Sequence, residues 1–191
     1  PIKPNRHQEI IRRIQVNIPF TMLIQKEWLD LFLGLELNPE IGIDAAALDK
    51  FSSDDFAHIA SEFKKRACTI TLHAPFLDLS PGSPDPKIRE ATRLRYQQLI
   101  DTIPIFSPIS IVCHSGYDDD RYSFCKEEWM THCIETLQWL GKEIHQRGSR
   151  MMLENVYEKN PEELLQVLRS LDPKHIGYCL DIGHLSAFSK Y

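Results

Sequence analysis

Residues 68–76, CTITLHAPF, read as a buried strand that runs out at His73 and breaks at Pro75, and the pattern returns three more times. ISIVCHSGY (109–117) ends at His114, RMMLENVY (150–157) at Glu154, and IGYCLDIGH (176–184) at Asp181, with His184 three residues on. Each is an apolar run of strand length followed by turn-forming residues, and amphipathic helical stretches lie between them. Steps of 41, 40 and 27 residues lead from His73 to His114, Glu154 and Asp181, and each fits one strand-loop-helix-loop unit. Repeated β-α units with polar residues at their C-terminal strand ends describe an α/β fold, a TIM (β/α)8 barrel that gathers its site at one mouth.

Working outward, RIQVNIPF (13–20) reads as the first strand, with Pro19 ending regular pairing and Thr21 placed to cap a helix over 22–33. PEIGIDAAAL (39–48) offers a second strand ending near Asp44, and Ser52 or Ser53 caps a helix over 55–66. Further helices are expected over 87–103, over 126–147 with Gly148 as terminator, and over NPEELLQVLRSL (160–171), opened by Asn160 as cap and Pro161 in the first turn. The loops APFLDLSPGSPDP (74–86) and SGYDDDRYSF (115–124) are irregular and long enough to fold over a mouth. A closed barrel needs eight strands and about 250 residues. The reading therefore expects six β-α units in residues 13–191, a barrel domain whose C-terminal strands are missing, after a mobile N-terminal extension over 1–12.

The 191 residues are 42% hydrophobic and 26% charged, the composition of one ordinary soluble globular domain. A net charge of −5 disfavours a nucleic-acid partner, and the basic stretch at Lys87, Arg89, Arg93 and Arg95 suits a solvated helix face. Five cysteines form no CxxC pair, and their odd number fits a reduced, cytoplasmic setting. Cys113 neighbours an inward-pointing residue, which turns it toward the helix layer as core. No run approaches the roughly 20 apolar residues of a membrane span.

A lone histidine at a strand end is more often structural than a ligand. His73, His114, Glu154, Asp181 and His184 are different, because they occupy equivalent positions on successive strands. Carboxylates and imidazoles converging on a barrel mouth are costly to desolvate unless a cation holds them. These donors suit Mn or Zn first, with Co and Mg as alternatives.

HAPF, HSGY, LENVY and CLDIGHLSAF resemble the xylose-isomerase-like, or AP-endonuclease-2-type, TIM barrels, which contain sugar isomerases and epimerases as well as endonuclease IV. The resemblance runs from about Arg13 to the end of the chain. For an isomerase or epimerase of a sugar or sugar phosphate it implies Glu154 and Asp181 as ligands of one ion. His184 then lies near substrate oxygens, and Glu154 doubles as the base that moves a proton through an enediolate. For an endonuclease IV-like zinc phosphodiesterase it implies all five residues as ligands, with Glu154 bridging. The ligands such families place on strands seven and eight have no counterpart in this sequence. A non-catalytic metal-binding or structural barrel is the third reading, and a homo-oligomer is one expected assembly. Asn155, Glu158, Asp44 and Tyr117 are further candidates for substrate contact, Asp44 equally as a helix cap, and the SPGS loop is a candidate for phosphate.

Overall fold

A computed structural model describes residues 6–189. Helix α1 (Arg6–Ile11) precedes β1 (Gln15–Pro19), and α2 (Phe20–Leu23) and α3 (Lys26–Gly34) lead to β2 (Asn38–Gly42). Helices α4 (Ala45–Lys50) and α5 (Ser53–Lys65) lead to β3 (Thr71–His73), and α6 (Pro86–Phe106) to β4 (Ile111–His114). A short α7 (Asp119–Tyr122) and a 3-10 turn then pass into α8 (Lys126–Gln146), β5 (Met151–Glu154), α9 (Pro161–Arg169), β6 (Ile176–Cys179) and α10 (Ile182–Phe188). Helix α1 falls within the stretch expected to be a mobile extension, and residues 1–5 and 190–191 lie outside the described residues.

The six strands form one sheet in the order β1-β2-β3-β4-β5-β6, every pair parallel. Sequential parallel pairing with intervening helices is the arc of a TIM barrel. Alternation along each strand divides the chemistry. Ile18, Ile41, Leu72, Ile111, Cys113, Leu153 and Ile176 are buried against the helices, whereas Glu40, His73, His114 and Glu154 share the other face. The register pairs Gly42 with His73, His73 with Val112, and His114 with Glu154, so the polar strand ends meet at one mouth. The helix layer is equally apolar, as Phe56, Ile59 and Phe63 of α5, Leu99 and Ile103 of α6, and Trp129, Leu137 and Ile144 of α8 show.

Several local expectations hold. Ser52 caps α5 in a reciprocal capping box with Asp55, and Gly148 adopts φ 82°, the left-handed turn that stops α8. Others do not. The helix expected over 22–33 is broken in two at Gln25, whose ψ of 133° is extended. Thr21 is not a cap, because the helix already starts at Phe20, whose ring is packed edge-on against Phe51, Phe56 and Phe106. Helix α6 runs past the expected 103 to Phe106 despite Pro104, and left-handed Ser107 closes it. Asn160 opens α9 without a side-chain cap bond.

The second half of the 74–86 loop is anchored in the helix layer. Thr136 donates to the Pro81 carbonyl (3.1 Å), Thr92 Oγ1 accepts from Ser80 N–H (3.0 Å), and a Cβ on Gly82 would collide with the Trp129 indole. Ser80, Pro81 and Gly82 are buried in this packing, so the SPGS segment is not an open phosphate loop. Among the described residues no helix is long and apolar enough to cross a membrane.

Candidate metal centre

His73, His114 and Glu154 are the last residues of β3, β4 and β5. Their backbones are fixed by the sheet ladder, and tilted parallel strands bring their side chains together at the mouth. His114 Nε2 lies 2.9 Å and His73 Nε2 3.4 Å from Glu154 Oε2. His73 Nδ1 faces the Ala74 carbonyl at 3.1 Å and donates to it, which leaves Nε2 as the ligand atom of the neutral ring. Across the carboxylate, His184 Nδ1 stands 4.0 Å from Glu154 Oε1 and 3.8 Å from Asp181 Oδ2. Asp181 is the N-cap of α10 and accepts the His184 N–H at 2.6 Å.

Burial alone would raise the pKa of Glu154, but the hydrogen bonds and charges of His114 and His73 outweigh it and hold the carboxyl far below the usual range. Burial likewise works against a charged His73 ring, yet the Glu154 bond, the Ala74 carbonyl and the Glu154 and Glu40 charges raise it above an ordinary histidine. The pocket therefore favours an anionic carboxylate surrounded by cationic or cation-binding groups.

Two sets of donors fit a divalent ion: His73 with His114 and Glu154, and Glu154 with Asp181 and His184, the donor atoms within each set lying within 4.8 Å of one another. Glu154 belongs to both. Each set is nitrogen and oxygen only, a borderline-hard environment suited to Zn or Mn. Neither neighbouring thiol joins them. Cys113 packs in the core, where burial pushes it far up. Burial and the Glu154, Glu40 and Asp181 charges push Cys179 up to about 11.

The substrate candidates are placed less simply. His184 is the one that faces the mouth, its side chain 33% exposed. Asp44 caps α4, accepting from Ala47 N–H at 2.6 Å. Tyr117 is buried, packed edge-on against Trp129, and donates to Asp119. Glu158 is buried with both oxygens engaged, one accepting from Ser115 Oγ and the other from Val156 N–H, each at 2.7 Å. Asn155 is buried and bonded to Asp181 and Tyr178. Sequence reasoning placed the 74–86 and 115–124 loops at the mouth without naming the residues that form its walls. A cavity of about 550 Å³ runs from His114 between Phe76, Arg121, Tyr122, Val156 and Tyr157. The Phe76 ring lies 4.6 Å from that of His114 and 5.4 Å from that of His73. The position of Phe76, directly after the strand-ending HAP, was the available signal.

Comparison with known proteins agrees with the fold. The chain is 30% identical over 121 residues to the uncharacterized protein MJ1311 of Methanocaldococcus jannaschii, a match spanning 60% of this chain and 41% of that protein. Among solved structures, the TTHB071 protein of Thermus thermophilus, from a ZnCl2 soak, superposes with a TM-score of 0.79 at 27% identity, covering 92% of this chain and 69% of that one. A D-tagatose 3-epimerase-like protein superposes with a TM-score of 0.73 at 21% identity over 90% of this chain and 66% of that one, a likeness of fold. The model of the xylose isomerase-like TIM barrel matches residues 34–190. On that match, this chain belongs to the xylose isomerase-like TIM barrel family.

Proposed function

We propose that this barrel is a divalent-metal-dependent isomerase or epimerase of a sugar or sugar phosphate. The observation that carries the reading is Glu154: a buried carboxylate at the mouth, held ionised by two histidines on one oxygen and open toward Asp181 and His184 on the other. Glu154, Asp181 and His184 would hold the ion. When bound there, a divalent ion supplies Lewis-acid polarisation of the carbonyl and adjacent hydroxyl of an open-chain sugar. Glu154 would accept the proton from the carbon beside that carbonyl and, for isomerisation, return it to the neighbouring carbon. Epimerisation needs a second acid on the opposite face. His114 and His73 keep the carboxylate oriented, and Phe76 and Tyr157 line the adjoining cavity where the substrate would sit. The fold likeness to a D-tagatose 3-epimerase-like protein supports the same substrate class.

A second reading, a multinuclear zinc phosphodiesterase of the endonuclease IV kind, is favoured by the sharing of Glu154 between two donor sets. A long nucleic acid fits it poorly. The net charge is −5, and the cations of α6 are occupied: Arg95 pairs with Asp49, Lys87 with Glu90, Arg89 bonds the Ser83 and Pro84 carbonyls, and Arg93 lies over Trp139.

The test is turnover by the metal-loaded full-length protein on ketoses and their phosphates, set against abasic DNA and small phosphodiesters. Sugar interconversion lost on Glu154→Gln is the expected result. Phosphodiester cleavage with two or three Zn per chain would replace the first reading by the second.

A further inference from the structure

We infer that Asn155 is the positioning residue of the Asp181–His184 side of the metal centre rather than a substrate contact, an inference that rests on the metal reading above. Successive strand side chains alternate, so Asn155 turns away from the mouth into which Glu154 points. There its side chain forms a clamp across to the end of β6. Oδ1 accepts from the Asp181 N–H (2.8 Å) and from the Tyr178 hydroxyl (3.0 Å), while Nδ2 donates to the Asp181 carbonyl (2.9 Å). One amide thus holds both backbone groups of a ligand 26 residues away. The Asn155 carbonyl completes the arrangement by meeting His184 Nδ1 at 3.1 Å, the nitrogen that also stands 4.0 Å from Glu154 and 3.8 Å from Asp181.

The clamp matters because both ligands sit on the N-terminus of α10, whose N-cap is Asp181. The Asp181 carboxylate fixes His184 through the cap bond, but Asp181 itself needs an anchor. Only an amide offers an adjacent acceptor and donor to match the N–H and C=O of one residue. Aspartate would set a carboxylate oxygen against the Asp181 carbonyl, and leucine would leave both backbone groups unmet.

The test is Zn(II) affinity by chelator competition in the full-length protein, comparing wild type with Asn155→Ala and Tyr178→Phe. Thermal unfolding of the metal-free forms and hydrogen-exchange protection of the Asp181 amide are recorded alongside. Asn155→Ala is expected to weaken binding by roughly 10–100-fold and to speed exchange of the Asp181 N–H, which loses its acceptor. Tyr178→Phe, which removes one bond to Oδ1, is expected to weaken binding a few-fold, and it carries the test if Asn155→Ala does not fold. Lowered melting with unchanged Zn affinity would make Asn155 purely structural and overturn the inference. A wild type that binds no Zn would instead remove the metal reading, and this inference with it.

Discussion

On one side of Glu154 stand His73 and His114, ends of neighbouring strands, with side chains 13% and 10% exposed. On the other stand Asp181 and His184, at the start of a short helix, 34% and 33% exposed. The first pair is positioned by the parallel ladder, so its geometry is as rigid as the sheet. The second is positioned by a helix cap and the Asn155 side-chain clamp. Glu154 is thus met by strand ends on one oxygen and by a capped helix start on the other.

The largest break in this comparison is removal of the shared residue. Glu154→Gln is expected to abolish metal binding on both sides and to lower turnover by about 10²–10⁴-fold, read from steady-state kinetics and elemental analysis. Next comes the asymmetry itself. Under the isomerase reading, His73→Ala with His114→Ala keeps one ion per chain, whereas Asp181→Asn loses it; loss of metal from the histidine double variant would point to the multinuclear site. A smaller effect sharpens the structural half. Ser115→Ala deprives buried Glu158 of a partner and should cost about 1–3 kcal/mol in denaturant unfolding without altering metal content. Asp44→Ala, removing an exposed cap, should cost only about 1 kcal/mol by the same measurement.

The rigid side also has a pH signature once metal is chelated away. His73 is raised above its ordinary 6.5, so its contribution is full below that value and is lost as pH rises through the folded-state pKa. Glu154 is lowered from 4.5, so its contribution is full above that value and fades as pH falls toward the depressed one. The stabilisation from this pair should therefore peak between pH 4.5 and 6.5. His73→Ala should flatten that peak in a melting-temperature series.

The strands and the five converging residues were legible because an apolar run ending in a ligand-type residue, repeated at β-α spacing, is more than core packing requires. The polar residues beside them were not. Asn155, Glu158 and Tyr117 look like substrate contacts in a linear reading, yet each is buried and hydrogen-bonded to the protein itself, Asn155 to Asp181, Glu158 to Ser115 and Tyr117 to Asp119. A sequence shows that such a side chain needs a partner without naming it. The break at Gln25 has no signal of its own in residues 22–33, which hold neither Gly nor Pro.

The most direct test is the metal content of full-length protein purified without chelator, beside Glu154→Gln prepared identically. The account predicts at least one Mn, Zn or Co per wild-type chain and essentially none in the variant. A wild type that stays empty after reconstitution with these ions, or a Glu154→Gln that keeps its full complement, would contradict it.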